Sequence, residues 1–184
     1  MNSSLNLCKR YLSIATLIIL FLNPETLAQD VSIHKIRNLF NDAVKDDNSR
    51  KIFYKYMADI QSKQPVVIAY KASAKALEAK DAWNPINKLS YLKEASQLFE
   101  NAISQEPKNI ELRFLRFSVQ YYTPRWLGMS DELNEDKNVI ITYINDYKKL
   151  NIDEGVLSWI QTFMIESGYC TKNEINTIKA AKTN

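Results

Sequence analysis

One stretch, from Lys88 to Gln120, limits what this chain can fold into more than any other. It has the pattern of a helix, a turn at Pro107 and a second helix. Proline ends the first helix because it lacks an N–H and its ring clashes with the preceding turn. The apolar residues of the first segment recur at the three- and four-residue spacing of an amphipathic helix, at Tyr91, Leu92, Ala95, Leu98, Phe99, Ala102 and Ile103.

The second segment of this stretch and the rest of the chain also have helical periodicity. In the segment after Pro107, one side of the predicted helix carries Leu112, Leu115 and Val119, and the other carries Phe114, Phe117 and Tyr121. No run of residues alternates β-branched and polar side chains as a strand would. We therefore predict an all-α domain of about eight helices in antiparallel pairs, as a superhelix or a compact bundle. The other helices are predicted over 29–45, 49–63, 66–80, 131–149, from 151 or 153 to Gly168, and 172–180.

Polar residues at the helix ends predict where several helices begin and end. We expect Ser32 or Asp30 to cap the first helix, and Ser130 or Asp131 to cap the helix over 131–149. Thr171 and Glu174 have the spacing of a capping box. Residues 81–87 are predicted to form a loop in which Trp83 packs against the body, with an exposed, ligand-stacking Trp83 as the alternative.

The N-terminal residues have the pattern of an export signal. Lys9 and Arg10 precede an uncharged apolar run from Tyr11 to Leu22, and small residues follow up to Ala28. The apolar run is shorter than the roughly 20 residues that span a bilayer. We therefore predict a signal peptide over 1–28, cleaved after Ala28, and one helical domain over 29–184 that is periplasmic or secreted, with no membrane-spanning segment. An uncleaved membrane anchor is the alternative.

The composition argues against several classes of site. The chain has three glycines, one histidine and two cysteines. A glycine-rich phosphate loop and a zinc site of several His or Cys ligands are therefore not expected. The formal charge of +3 comes from interspersed signs, which gives no basic face for nucleic acid. We predict no cofactor and no metal, and we interpret His34 as a solvated residue on a helix face.

Two arginines give the clearest candidate contact site. Arg113 and Arg116 share a helix face, with Gln120 one turn further on. In a structural interpretation, the arginines pair with Glu111, Glu135 or Asp136 of the same fold. In a functional interpretation, their guanidinium groups bind a partner's carboxylate. Together with Trp126, these residues are the predicted binding face: Arg113, Arg116, Gln120 and Trp126.

Other side chains suggest alternative functions. The aromatic residues Tyr121, Tyr122, Trp126 and Tyr169 are candidates to line a pocket for a sugar or an apolar ligand. A carboxylate-dependent hydrolase needs two acids in one cleft, and the candidate acids are Glu94, Glu100, Asp136 and Glu166. Cys170 lies just before a predicted helix, which is a position that can acidify a thiol, but with no His nearby in sequence we interpret it as inert or as the source of an accidental intermolecular bridge.

A repeat-like pattern is centred on four residues. Ala95, Phe99, Ala102 and Pro107 stand at the spacing A-x3-F-x2-A-x4-P. This pattern resembles the second half of a tetratricopeptide repeat, in which small residues let the two helices of a repeat touch. The resembling unit covers residues 66–107. It departs from the family pattern because no Trp-x2-Leu-Gly precedes Ala95 and because the predicted loop over 81–87 is longer than the family's turn.

The chain is also similar to a group of uncharacterised exported bacterial proteins, which implies export and a helical fold but no activity. The residues that carry this similarity are Pro107, Asn109, those at 111–116, Pro124, Leu127, Gly128, Asp136 and Lys137. From the sequence we therefore expect a non-enzymatic, exported protein that binds a protein or peptide in the cell envelope. The alternatives are a carrier or sensor of a small ligand and, less favoured, a hydrolase.

Overall fold

A computed structural model describes residues 32–181, and the regular structure within them is entirely helical. The predicted all-α fold is confirmed, whereas the predicted signal peptide over 1–28 lies outside the described residues. Two short 3-10 helices lie between α-helices, one at Arg125–Leu127 and one at Ile144–Asp146. The eight α-helices are α1 (Ile33–Ala43), α2 (Asp47–Asp59), α3 (Pro65–Asp81), α4 (Pro85–Gln105), α5 (Ile110–Tyr122), α6 (Leu133–Tyr143), α7 (Glu154–Glu166) and α8 (Lys172–Ala180).

Helix α5 lies between two apolar cores because its two sides are both apolar. Leu112 and Leu115 are buried in the first core, against α1 to α4. Phe114 and Phe117 are buried in the second core, against α6 to α8. The two apolar sides that the sequence shows for α5 therefore correspond to two separate packing surfaces. Helix α5 connects the helices of the first core to those of the second.

Small residues allow α3 and α4 to pack closely, as the sequence predicted. Ala95 and Ala102 on α4 are 1% and 0% exposed, and Ala69 and Ala72 on α3 are fully buried. This pair makes the most extensive helix–helix contact among the described residues. Large side chains fill the space beside the alanines, among them Tyr70 and Phe99, both within 1% of complete burial.

Long-range hydrogen bonds show which helix ends lie together. Near the beginnings of α1, α3 and α5, Arg37 and Tyr70 both bond to Glu111. We call this the lower end, with connections 60–64, 106–109 and 144–153. At the opposite end, the Arg50 side chain near the beginning of α2 bonds to Asp81, the last residue of α3. We call this the upper end, with connections 44–46, 82–84 and 123–132.

Several predicted boundaries are wrong, each for a local reason. The loop predicted over 81–87 covers only Ala82–Asn84, because the Asn84 side chain accepts a hydrogen bond from the Ile86 N–H at 2.8 Å and Pro85 opens the helix. The helix predicted over 131–149 is α6, which begins at Leu133 with no side-chain cap and ends at Tyr143. Ser130 does not cap it, because its hydroxyl donates to the carbonyl of Gln120.

Other predicted helix ends are confirmed. The Ser32 hydroxyl accepts a hydrogen bond from the Lys35 N–H at the start of α1. Thr171 and Glu174 form the reciprocal hydrogen bonds of a capping box at α8. Gly168 follows the end of α7 with φ = +68°, a left-handed conformation that a side chain would strain. These local signals position α7 and α8 against the second core.

Candidate functional site

Asp136 is the centre of a buried charge cluster between α5 and α6. Its carboxylate is 0% exposed. Arg116 donates from Nε to Oδ2 and from Nη2 to Oδ1, both at 2.7 Å, and Arg113 donates from Nη1 to Oδ1 at 3.0 Å. Burial raises the pKa of Asp136, while the hydrogen bonds from Arg116 and Arg113 act in the opposite direction. The paired carboxylate in turn raises the pKa of Arg116 against the effect of its burial.

Arg113 extends this cluster to the surface. Its Nη1 also bonds to Glu135 Oε1 at 2.6 Å, and its Nε donates to the carbonyl of Pro107 at 2.9 Å. The hydrogen bond from Arg113 lowers the pKa of the Glu135 carboxyl. The structural interpretation of the two arginines is therefore confirmed for Glu135 and Asp136. A role of Arg113 in binding a partner stays a prediction.

Glu111, the third predicted partner of the arginines, instead belongs to a second buried cluster at the lower end. The Arg37 side chain donates to Glu111 from Nε at 2.8 Å and from Nη2 at 2.5 Å, and the Tyr70 hydroxyl donates to the same carboxylate at 2.8 Å. Arg37 Nη1 reaches Asp153, which caps α7. Although burial lowers the pKa of Arg37, the hydrogen bond and charge of the Glu111 carboxylate raise it more. Burial and Glu111 together raise the pKa of Tyr70.

A small cleft lies between α4 and α5 at the upper end. Its volume is about 20 Å³, which is room for one water-sized group. The lining combines apolar side chains with polar groups from Ser96, Arg116, Gln120 and Thr123. Two of the four predicted site residues, Arg116 and Gln120, therefore meet here. The full lining is Leu92, Ala95, Ser96, Phe99, Arg116, Val119, Gln120, Thr123 and Met129.

Gln120 presents an unsatisfied hydrogen-bond acceptor in this region. Its Nε2 donates to Glu132 Oε2 at 2.5 Å, which fixes the orientation of the amide. Its Oε1 is buried and has no hydrogen-bond partner among residues 32–181. Leaving a buried polar group unpaired costs about 1–3 kcal/mol, and Gln120 is one of the residues that line the cleft. Arg116 uses Nε and Nη2 for Asp136, and its Nη1 makes no hydrogen bond with the described residues.

Trp126 lies on the connection that borders the cleft. Thr123 and Met129, at either end of this segment, both line the cleft. Between them, the 3-10 helix Arg125–Leu127 ends at Gly128 with φ = +62° and holds Trp126 83% exposed. Tyr122, four residues before Trp126, is 76% exposed. Its ring contacts the ring of Tyr121 edge-on, with 5.1 Å between the ring centroids. The sequence did not indicate the contributions of Ser96, Thr123 and Met129. Only the fold brings Ser96 and Met129 to α5, and Thr123, which follows α5 directly, reads as an ordinary helix end.

The other candidate residues do not meet in the cleft. Its lining includes no carboxylate, and Asp136 is occupied by two arginines. Glu94 pairs with Lys75, and Glu100 and Glu166 are exposed. His34 is exposed on α1, as predicted. Burial raises the pKa of the Cys170 thiol, which opposes acidification by the helix that follows.

Residues 32–181 hold no group of three or more His, Cys, Asp or Glu side chains placed to bind a metal. Within the same range, no helix combines the length and the apolar character that crossing a bilayer requires. No protein-family model, no curated protein and no solved structure matches this chain.

Proposed function

We propose that this chain is an exported, non-enzymatic helical protein of the cell envelope that binds a protein or peptide segment at the cleft between α4 and α5. The observation that carries this proposal is the buried Gln120 Oε1, which has no donor among residues 32–181 and belongs to a residue that lines the cleft. The export signal over 1–28 and a periplasmic or secreted location are parts of the proposal that rest on the sequence.

The chemistry of the cleft favours a peptide that presents a serine or threonine. A hydroxyl has the size of water, donates one hydrogen bond and accepts others. We propose Gln120 Oε1 as the acceptor of its hydrogen bond and Arg116 Nη1, the nitrogen that Asp136 leaves unused, as its donor. The neighbouring apolar side chains of Leu92 and Val119 suit a threonine methyl group.

Exposed aromatic rings supply the second element of a binding surface. Interface residues that carry most of the binding energy are enriched in Trp and Tyr. Trp126 and Tyr122 are largely exposed on the segment that borders the cleft. We propose that they cover the peptide on either side of the inserted hydroxyl, while Arg113 holds α5 in place through Glu135 and Asp136.

The packing of successive helical pairs supports the resemblance to a tetratricopeptide repeat. The three-residue connection between α3 and α4 removes one departure from the family pattern. Helix α5 then packs against both helices of that pair. Stacked helical pairs that bury a continuous core are the arrangement of such repeats, and these proteins bind partners on the surface of the stack.

Selection from a displayed library of random peptides tests this proposal, because it does not require the partner to be identified first. Ser96→Phe fills the cleft, because Ser96 lines it, whereas the neighbouring Gln97→Phe adds the same ring on an exposed position. We expect enriched peptides with serine or threonine that bind wild type and Gln97→Phe equally. Filling the cleft is expected to weaken their binding by about tenfold or more, which corresponds to about 1.4 kcal/mol.

Trp126→Ala provides a second variant that leaves the buried clusters intact. It is expected to weaken the same peptides by a similar factor, because it removes an exposed ring and no core contact. Peptides that bind Ser96→Phe as tightly as wild type would place the binding surface elsewhere. The absence of any enriched peptide would reject the proposal.

The alternatives receive less support from the geometry. A carrier of a sugar or apolar ligand needs a cavity of about 300 Å³ or more, and this cleft has about 20 Å³. A hydrolase needs two carboxyl groups on either side of a substrate, and the cleft is lined by none. We therefore propose a binding protein in preference to both.

A further inference from the structure

Large apolar side chains are exposed at only one end of the described helical layer. Tyr122 and Trp126 are at the end of α5 and on the connection after it. Ile52 lies between Arg50 and Tyr54, which both bond to Asp81 at the upper end of α3. The exposed large apolar residues among 32–181 are Val44, Ile52, Trp83, Ile86, Leu89, Tyr122 and Trp126, and all of them are at the upper end.

The most exposed of these residues form a protruding tip at the turn between α3 and α4. Trp83 is 99% exposed, which shows that its predicted packing against the body is wrong. Ile86 is 77% exposed and Leu89 is 36% exposed, one turn further along α4. Every residue from 83 to 90 is exposed. The fold therefore leaves Trp83 and Ile86 largely uncovered by the described chain, with the partly covered Leu89 beside them.

The charge at this tip is positive. Lys80, Lys88 and Lys93 are exposed, and none of them forms an ion pair with another residue of 32–181. The nearest carboxylates on α3 and α4 form ion pairs with other basic residues. Asp81 accepts from Arg50, and Glu78 and Glu94 pair with Lys75. The charge of Lys80 also acts on the neighbouring Asp81 carboxylate. The tip therefore presents an apolar centre with two exposed lysines, Lys88 and Lys93, that form no ion pair in the described part of the fold.

An apolar tip with tryptophan and unpaired lysines is the combination that binds the surface of an anionic bilayer. Tryptophan favours the boundary between hydrocarbon and water, because its ring is apolar and its N–H is polar. Lys93 lies seven residues behind Ile86, or about 10 Å along the helix axis. When apolar side chains insert about 5–10 Å, a lysine at that distance meets the phosphate groups.

We propose that the turn between α3 and α4 docks this protein on a membrane surface that contains anionic phospholipids, with Trp83 and Ile86 inserted and the lysines at the phosphates. This inference is independent of the proposed peptide binding, since it uses neither the cleft nor Gln120. Peptide and membrane contacts at the same end place a bound peptide close to the bilayer.

Fluorescence of a single tryptophan tests this proposal directly. The full chain contains Trp83, Trp126 and Trp159. In Trp126→Phe/Trp159→Phe, all tryptophan emission comes from Trp83. With vesicles of phosphatidylglycerol and phosphatidylcholine, we expect a shift of its emission to shorter wavelength and quenching by brominated acyl chains. Because the signal comes from Trp83 itself, membrane contact through another part of the chain does not produce it.

Two matched controls separate the tip from general adhesion. Trp83→Phe/Trp126→Phe leaves only Trp159, which packs against the second core, and its emission is expected to stay unquenched. Lys88→Gln/Lys93→Gln is expected to weaken the binding measured through Trp83 by about tenfold or more, whereas Lys63→Gln/Lys108→Gln removes two exposed lysines at the lower end and leaves it unchanged.

The proposal is overturned if the emission of Trp83 does not change with anionic vesicles, which would leave a protein partner as the occupant of the tip. It is equally overturned if the two lysine variants weaken the Trp83 signal to the same extent. Ser96→Phe keeps the whole tip, so it retains the vesicle signal even where peptide binding fails. The two proposals can therefore fail separately.

Discussion

Single buried charges hold the two halves of the described chain together. Asp136 accepts three hydrogen bonds from two arginines, and Glu111 accepts three from Arg37 and Tyr70. A buried ion pair adds little net stability over an apolar pair, but removing one partner leaves the other charge uncompensated. The partners of Glu111 lie 74 and 41 residues away. A single sequence does not indicate such distant pairs, which is why the prediction is right for Asp136 and Glu135 but wrong in pairing Glu111 with Arg113 or Arg116.

Asp136→Asn tests how much the cluster of Asp136, Arg113 and Arg116 contributes to stability. The amide keeps the size of the carboxylate but leaves the Arg116 guanidinium, which is less than one tenth exposed, without its paired carboxylate, while Arg113 keeps only Glu135. We expect the free energy of unfolding in urea to fall by about 3–5 kcal/mol. Glu135→Gln is the matched control, since its exposed pair with Arg113 is worth about 0–1 kcal/mol. Equal losses of unfolding free energy in Asp136→Asn and Glu135→Gln would contradict the assignment of Asp136 as the centre of the cluster.

Asp81 predicts part of the pH dependence of stability. Burial raises the pKa of Asp81, but hydrogen bonds from Arg50 and Tyr54 lower it more, so the folded state binds this proton less tightly than the unfolded state. Its stabilising contribution is therefore complete above the unfolded pKa of about 3.9 and is lost as the pH falls through the lower folded value. We expect the unfolding free energy of Asp81→Asn to depend less on pH than that of wild type between about pH 5 and 2.

The urea midpoint measured across this pH range checks the prediction. Asp59→Asn is the control, because Asp59 is exposed and forms no ion pair with the described residues. It is expected to leave the acid-dependent loss of stability as in wild type. If both variants show the same pH dependence as wild type, Asp81 is not a source of the loss.

At the scale of helices, the pattern of apolar residues predicted the arrangement better than it predicted the boundaries. The two apolar sides of α5 and the alanines of α4 identified real packing surfaces, because burial follows helical periodicity directly. The start of α4 was placed too late, although Asn84 before Pro85 is a helix-start signal. The end of α6 at Tyr143 has no such signal, since apolar residues continue to Tyr147 through a 3-10 helix.

The contact between α3 and α4 gives a prediction at this scale. Ala102→Leu adds a large side chain where the exposed fraction is 0%. We expect a loss of about 1–3 kcal/mol in the free energy of unfolding, because overpacking forces side chains or backbone to move. Gln97→Leu adds a similar side chain on the exposed side of the same helix and is expected to change stability by less than about 0.5 kcal/mol. A tolerated Ala102→Leu would show that the two helices are not in close contact.

The whole described molecule has two chemically different ends. At the lower end, hydrogen bonds and ion pairs join α1, α3, α5 and the start of α7 through Arg37, Tyr70, Glu111 and Asp153. The upper end carries the cleft, Trp126 and the apolar tip at Trp83. Sequence reasoning selected Arg116, Gln120 and Trp126 for this region from their spacing and type. It favoured a packed Trp83 over the exposed alternative, because an exposed tryptophan has the same sequence pattern as a buried one.

The most direct test of this account is a nuclear magnetic resonance titration of the 15N-labelled chain with a peptide enriched in the library selection. The account predicts that the largest shifts occur at the upper end, in the backbone around Ser96 and Thr123, the side-chain amide of Gln120 and the indole of Trp126. Residues of the lower end, such as Arg37 and Asp153, should shift little. Shifts confined to the lower end, or an unchanged Gln120 amide, would contradict the assignment of the cleft as the binding site.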